Sequence, residues 1–401
     1  MFSSRLPSVL HRNRLTEAVD ARRLAGQPIV DLTLSNPTRA GFDYPPDLLA
    51  PLADARGLDY DPGPFGSIDA RRAVSREYAR QSLDVPTDRI VLTASTSEAY
   101  SLLFKLLANP GDDILVPRPS YPLFDHLIAL ESANARPYDL EYHGAWTIDF
   151  DSVERALTGR ARALLVVSPN NPTGSFLSRG DLDRLAAICR ARDVAIVADE
   201  VFADYELEPG AARAAGRVSA RADVLSFALG GLSKSAGLPQ VKLGWIAAAG
   251  PDGLVSAALD RLELICDTYL SVSTPVQVAA PALVERGAMV RSQIARRVET
   301  NYRWLASKSA ASSCTCLRAE GGWYAVLQVP SIESEEDAVV GLLTHDGVLT
   351  HPGYFFDFSR ESFVIVSLLP PDPVFHDGVT RILRHFDCTT HATMSRRKEL
   401  E

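Results

Sequence analysis

The segment ALLVVSPNNPTGSFLSRGDLDRLAAICRARDVAIVAD, residues 163–199, contains two short apolar runs separated by a helical pattern. The runs at 163–168 and 194–199 stay apolar until their last residue, which is typical of strands buried on both faces of a sheet. Ser178 and Asp181 are well placed to cap the helix between them. A strand, a helix and a second strand in this order predict a parallel sheet with crossover helices.

The same alternation extends over much of the chain. Similar apolar runs occur at 89–93, 113–117 and 223–229, and a second helical pattern covers Ser97–Ala108. We therefore predict an α/β fold, whose large domain contains a mostly parallel sheet flanked by helices.

The pattern changes after Val290. A long helical pattern rich in arginine is followed by GGWYAVLQV and SFVIVSLL, which are typical of strands in an antiparallel or mixed sheet. We therefore predict a smaller α+β C-terminal domain. The predicted parts are an N-terminal arm that includes part of the small domain (1–55), the large domain (56–290), the small domain (291–390) and a flexible tail (391–401).

Composition excludes several classes of function. The chain has 401 residues and a net charge of -9, whereas a nucleic-acid surface needs concentrated Lys and Arg. No apolar run reaches the roughly 18 residues that span a bilayer, and the N-terminal sequence lacks the apolar core of a signal peptide. We therefore expect a cytoplasmic protein with five reduced cysteines, no metal site, and neither a nucleic-acid nor a membrane partner.

Polar residues follow several of the predicted strands. Ser95, Thr96 and Ser97 lie at a predicted helix N-terminus, where hydroxyl and backbone N–H groups suit a phosphate. The same residues also fit a capping box with Glu98. The loop SPNNPTG, residues 168–174, has good turn chemistry and by itself indicates only a turn.

A carboxylate and an amine follow two other strands. Asp199 ends an apolar strand and needs a cationic partner or hydrogen bonds to remain charged, whereas we interpret Glu200 as a charge at a helix N-terminus. Lys234 lies between Ser233 and a second serine, with another cation, Lys242, nearby in the sequence. Apolar neighbours and a second cation favour the neutral amine, which forms Schiff bases.

Taken in order, these motifs resemble those of the class I/II aminotransferases of pyridoxal-phosphate fold type I. The resemblance covers nearly the whole chain, through LSNPTR, YDPGPFG, ASTSEAY, PRPSYPLF, SPNNPTG, ADEVF, LSKSAGLPQVKLGW and GGWYAVL. It implies pyridoxal 5'-phosphate as cofactor, an amino acid and a 2-oxo acid as substrates, and a homodimer with shared active sites.

The resemblance also implies roles for individual residues around the cofactor ring. Lys234 resembles the lysine that forms the internal aldimine and then moves the proton between the substrate and the cofactor. Asp199 resembles the carboxylate that keeps the pyridine nitrogen protonated. Asn171 resembles the residue that hydrogen-bonds the phenolate oxygen of the ring, and Tyr121 resembles the aromatic residue that stacks on it.

Further residues are implied to bind the phosphate and the substrate. The phosphate set comprises Ser95, Thr96, Ser97, Ser233 and Lys242, together with Tyr60, which resembles the tyrosine that reaches the cofactor of the neighbouring subunit. The substrate set comprises Ser35, Asn36 and Arg39.

The chain departs from the family pattern at three positions. Lys242 stands where the family has a phosphate-binding arginine. Phe202 replaces a tyrosine that donates to the phenolate oxygen, and its loss should raise the pKa of the aldimine unless Tyr205 or a water substitutes. Ile365 stands where the family has the arginine that binds the substrate carboxylate, and Arg39 and Arg360 are the candidate replacements.

These observations favour an aminotransferase that works by a ping-pong mechanism through Lys234. The same cofactor site also serves β-eliminating lyases, racemases, decarboxylases and cyclases, and the missing arginine strengthens these alternatives. A non-catalytic binding or regulatory protein is a third hypothesis, against which the presence of Lys234 and Asp199 argues.

Overall fold

The computed structural model describes residues 2–7 and 12–400, in which strands and helices alternate along the chain. The strands are β1 Val30–Asp31, β2 Ile90–Thr93, β3 Asp113–Arg118, β4 Asn134–Tyr142, β5 Trp146–Ile148, β6 Ala161–Val167, β7 Ala195–Asp199, β8 Ser226–Gly231, β9 Gly244–Ala249, β10 Thr315–Cys316, β11 Tyr324–Gln328, β12 Val348–Leu349, β13 His351–Pro352 and β14 Phe363–Ser367.

Most of the helices cover the faces of the main sheet or pack in the C-terminal region. They are α1 Arg14–Leu24, α2 Ile68–Arg80, α3 Thr96–Leu107, α4 Phe124–Leu130, α5 Phe150–Ala156, α6 Arg179–Ala191, α7 Ala211–Ala214, α8 Leu232–Ser235, α9 Asp252–Tyr269, α10 Thr274–Arg286, α11 Ala288–Ser309, α12 Glu335–Gly341 and α13 Asp372–Leu400. The predicted cap of α6 is confirmed, since Ser178 Oγ accepts a hydrogen bond from the Asp181 backbone N–H at 3.0 Å.

The main sheet has eight strands in the order β2-β9-β8-β7-β6-β3-β4-β5. β9 is antiparallel to both of its neighbours and β5 is antiparallel to β4, whereas the other neighbouring pairs are parallel. The predicted α/β fold with a mostly parallel sheet is therefore confirmed.

Helices cover both faces of this sheet, and alternate residues of each central strand face opposite sides. In β6, Leu164 and Val166 belong to the apolar cluster on one side of the sheet. Ala163, Leu165 and Val167 belong to the cluster on the other side. The continuous apolar runs are thus explained by burial on both faces.

A second sheet lies in the C-terminal region, as predicted from residues after 290. Its strands are antiparallel in the order β10-β11-β14-β13, and α11 and α13 pack against each other beside it. β1 from the N-terminal segment pairs with β12, so the chain's start joins this region. The domain boundaries and the flexible tail remain predictions, and α13 continues as a helix to Leu400.

Four strands end at the same edge of the main sheet and position the candidate site. β2, β6, β7 and β8 run in the same direction, because β9 is antiparallel to both β2 and β8. Their carboxyl ends lead into α3, the loop at 168–174, Asp199 and α8. Ligands of open α/β sheets bind at such an edge.

Candidate active site

Lys234 lies in α8, one short turn after β8. Its Nζ lies 4.9 Å from the centroid of the Trp323 ring and 5.7 Å from that of Phe202. Burial lowers the pKa of this amine, and the charge of Asp199 opposes the shift. The Lys234 carbonyl oxygen accepts a hydrogen bond from the Tyr205 hydroxyl, which holds the turn in place. The site therefore contains an amine that loses its proton more readily than an ordinary lysine.

Asp199 is the last residue of β7 and only 9% exposed. Its Oδ2 accepts a hydrogen bond from the Tyr100 hydroxyl at 3.0 Å, and its Oδ1 accepts one from the Val201 backbone N–H at 3.1 Å. Burial raises the pKa of the carboxyl to about 6, although the two hydrogen bonds and the charge of Lys234 oppose this. Because this carboxylate is buried, water would not screen its attraction for a cation placed beside it.

Tyr121 and Asn171 supply an aromatic ring and an amide at the same edge. Burial and the nearby charge of Asp199 raise the pKa of the Tyr121 hydroxyl. Asn171 Oδ1 is buried and has no hydrogen-bond partner in the described part of the chain. Because buried amides are nearly always hydrogen-bonded, this atom marks a place where a ligand group fits.

The N-terminus of α3 contains the residues predicted to bind phosphate. Ser95 Oγ accepts a hydrogen bond from the Glu98 backbone N–H at 3.2 Å, and Glu98 Oε2 accepts one from the Ala94 N–H at 2.5 Å. Ser95 therefore caps the helix, whereas Glu98 binds the N–H of Ala94 and not that of Ser95, so only half of the predicted capping box forms. Thr96 and Ser97 are the first two residues of the helix, so their backbone N–H groups have no partner within it. Phosphate binding by these residues remains a prediction.

Lys242 and Ser233 lie on the segment that carries Lys234. Lys242 is exposed and adopts a left-handed conformation, with φ of 59° and ψ of 56°. Two residues later, a Cβ on Gly244 would lie 3.0 Å from the backbone carbon of Ser95. This close approach brings the Lys242 turn against the start of α3, so that both could reach one phosphate.

The predicted substrate residues occupy different environments. Burial raises the pKa of the Tyr324 hydroxyl to about 12, and the nearby Ser35 side chain opposes this shift. Asn36 Oδ1 accepts hydrogen bonds from the Thr38 backbone N–H at 3.0 Å and the Thr38 hydroxyl at 2.7 Å, so this oxygen stabilises the local turn. Arg39 ends that turn and is exposed. Substrate binding by the three residues remains a prediction.

The position of the expected carboxylate-binding arginine is apolar. Ile365 lies in the middle of β14, is fully buried and packs in a cluster with Leu317, Val326 and Phe356. Arg360 is exposed and lines a cavity of about 310 Å³ between the β4–β5 hairpin and the second sheet. Strand β14 therefore supplies no cation that could bind a substrate carboxylate near Ile365.

Tyr60 is 73% exposed in the single chain and lies in the loop before α2. Its side chain is accessible to a neighbouring molecule, and its predicted contact across a dimer remains a prediction.

Two residues of the site were missed in the sequence analysis, and one interpretation was wrong. Tyr100 donates a hydrogen bond to Asp199, and the ring of Trp323 lies next to the Lys234 amine. Both residues belong to motifs quoted above, but no local pattern predicts either contact. Glu200 does not begin a helix, because the residues after it form turns. Its buried carboxylate instead pairs with Arg217 at 2.7 Å.

A family model described as aminotransferase class I and II matches residues 51–371. The chain belongs to this family. The glutamate-pyruvate aminotransferase AlaA of Escherichia coli K12 is 26% identical over 387 residues, which cover 93% of this chain and 94% of that protein. The alanine aminotransferase of Mycobacterium tuberculosis is 26% identical over 384 residues, covering 92% and 88%.

The fold agrees with this membership. The solved structure of an alanine aminotransferase from Pyrococcus furiosus matches with a TM-score of 0.86 at 23% identity, over 96% of this chain and 99% of that one. The predicted family, the type I fold and the aminotransferase class of enzyme are therefore confirmed. Within residues 2–7 and 12–400, no helix combines the length and the apolar character needed to cross a membrane.

Proposed function

We propose that this aminotransferase uses pyridoxal 5'-phosphate, held around Asp199 and Lys234, to move an amino group between an amino acid and a 2-oxo acid. The observation that carries the proposal is the Asp199 carboxylate. It is buried, it is oriented by Tyr100 and Val201, and it lies within electrostatic reach of the Lys234 amine. A protonated pyridine nitrogen is the kind of cation that such a carboxylate would stabilise.

The other side chains fit the cofactor as well. The Asn171 side chain makes no hydrogen bond within the described residues, so its NH₂ group would be free to donate to the phenolate oxygen of the ring. Tyr121 offers an aromatic face at the same edge of the sheet. The start of α3, Ser233 and Lys242 would hold the phosphate, because backbone N–H groups and a cation favour an anion.

When bound, the cofactor supplies an electron sink for the negative charge that develops at the substrate α-carbon. Asp199 would hold a proton on the ring nitrogen and so keep the ring electron-poor. Lys234 would take the proton from the substrate α-carbon and deliver it to the cofactor, and burial lowers the pKa of this amine, which eases loss of the amine's own proton before that step. The rings of Trp323 and Phe202 lie beside the amine and shield one side of it from water.

The substrates are an amino acid and a 2-oxo acid, and the names of the relatives make alanine, glutamate and pyruvate the first compounds to test. We place the substrate carboxylate near Ser35 and Arg39, since Ile365 offers no charge. The enzyme acts as a cytoplasmic homodimer, in which Tyr60 reaches the phosphate of the partner's cofactor. The high exposure of Tyr60 in the single chain supports this arrangement.

The test is the half-reaction of the cofactor-loaded enzyme with single amino acids, followed by absorbance. An aminotransferase leaves the aminated cofactor on the protein, whereas a lyase releases ammonia and restores the starting spectrum. Lys234→Ala should abolish both the absorbance of the covalently bound cofactor and turnover, while the exposed Lys308→Ala serves as control. Transamination retained in Lys234→Ala would overturn the assignment.

A further inference from the structure

Trp323 carries a buried donor that the protein does not use. The residue is 1% exposed, and its indole Nε1 has no hydrogen-bond partner among the described residues. Burying an N–H group without an acceptor destabilises the folded state, so such groups are rare unless something else satisfies them. An acceptor that does not belong to the described residues would explain this donor.

The Trp323 ring lies beside residues that we expect to surround the cofactor ring. The Trp323 ring packs edge-on against Phe202, with 5.2 Å between centroids, and against Tyr205, at 5.1 Å. Lys234 Nζ lies 4.9 Å from the Trp323 centroid. The indole is thus in contact with the reactive amine and with the position at which the family pattern has a hydroxyl donor to the cofactor ring.

The neighbours of Trp323 do not supply the donor that is missing at position 202. Phe202 has no polar atom. The Tyr205 hydroxyl donates to the Lys234 carbonyl oxygen, and the Tyr100 hydroxyl donates to Asp199. Tyr205 therefore does not replace the missing hydroxyl, whereas Trp323 has an indole N–H beside Phe202 and Lys234 that is free within the described part of the chain. The amide of Asn171 is a separate partner already expected at the phenolate oxygen.

We propose that Trp323 Nε1–H donates a hydrogen bond to the phenolate oxygen of bound pyridoxal 5'-phosphate and so replaces the donor that Phe202 lacks. This inference rests on the proposed function. A hydrogen bond to this oxygen stabilises its negative charge, so that the oxygen binds the neighbouring proton of the bound cofactor less tightly. Trp323 thereby lowers the pKa of the cofactor chromophore and counteracts the rise predicted from Phe202 alone.

The first experiment is a spectrophotometric pH titration of the cofactor-loaded enzyme. Trp323→Phe keeps an aromatic ring and removes the donor, so the midpoint should rise by about one to two pH units, the size expected for a hydrogen bond to a charged oxygen. Adding Phe202→Tyr to that variant should lower the midpoint again. Trp304→Phe, in which the lost ring packs against His376 in the C-terminal region, should leave it unchanged.

An unchanged midpoint in Trp323→Phe, with normal cofactor uptake, would overturn the inference and leave the proposed function intact. A wild-type protein that takes up no pyridoxal 5'-phosphate would overturn both. The two failures are therefore distinguishable by cofactor stoichiometry.

A second measurement uses the wild-type side chain, in case Trp323→Phe does not fold. The chain has four tryptophans, so selective ¹⁵N labelling gives four indole signals. Single substitutions of Trp146, Trp245 and Trp304 assign three of them, and the Trp323 signal follows by elimination. Adding pyridoxal 5'-phosphate to the apoenzyme should move the Trp323 proton downfield, as for a donor to an anion. No downfield shift on cofactor uptake would contradict the proposal.

Discussion

Replacing Asp199 by asparagine is expected to stabilise the cofactor-free protein while it weakens cofactor function. The carboxylate lies at a buried strand end and holds a charge that burial disfavours. An asparagine has the same shape, so its oxygen can accept from the Val201 N–H and its NH₂ can donate to the Tyr100 oxygen. The substitution thus removes the charge and keeps both contacts.

The magnitude follows from the pKa of Asp199, which burial raises from 3.8 to about 6. A shift of about two units corresponds to about 3 kcal/mol at 1.36 kcal/mol per unit. Because the folded-state pKa of Asp199 is raised, the contribution of this one group to stability is fully present below pH 3.8 and is lost as the pH rises through about 6. Asp199→Asn should therefore gain up to about 3 kcal/mol at pH 8 and little near pH 4.

The assay is urea denaturation of both apoenzymes at pH 8 and near pH 4, at one protein concentration. Asp113→Asn is the matched control with the opposite sign. Burial acts to raise the pKa of the fully buried Asp113, but hydrogen bonds from Thr158 and Asn134 and the charge of Arg136 lower it. Asp113→Asn should be most destabilising at pH 8. If Asp199→Asn lowered the stability at pH 8, or had the same effect at both pH values, the reasoning would be refuted.

Two further predictions concern the phosphate and the substrate carboxylate. Lys242→Arg should lower the Kd of the cofactor several-fold, because a guanidinium binds phosphate through two parallel hydrogen bonds. Cofactor dissociation measures this Kd, and an equal decrease in Lys308→Arg would contradict the prediction. Arg39→Gln should raise the KM of both amino acid and 2-oxo acid roughly tenfold or more, the loss expected for a charged hydrogen bond, without changing the cofactor spectrum. Steady-state kinetics test this against Arg360→Gln, and an unchanged KM in Arg39→Gln would remove Arg39 from the substrate site.

Local patterns were sufficient for much of the fold. Alternation of apolar runs and helical patterns predicted β6, α6 and β7 close to their observed bounds, and the Ser178 cap is present. These features depend only on residues that are close together in the sequence, so a local pattern is sufficient to predict them. The prediction for Glu200 failed, since turns follow it and its carboxylate pairs with Arg217, a partner that no local pattern encodes.

The chain's motifs identified Lys234 and Asp199, because residues at the carboxyl ends of parallel strands must meet at one edge of a sheet. The strand-like pattern of SFVIVSLL is also confirmed, since Ile365 lies in β14. Which side chains act on these groups was decided only by packing. Tyr100 reaches Asp199 from a helix 99 residues earlier in the sequence, and Trp323 reaches Lys234 from the residue before β11 of the second sheet. Such contacts join residues far apart in sequence, and the burial that shifts the pKa of Asp199 and leaves the Trp323 N–H without an acceptor among the described residues exists only in the folded chain.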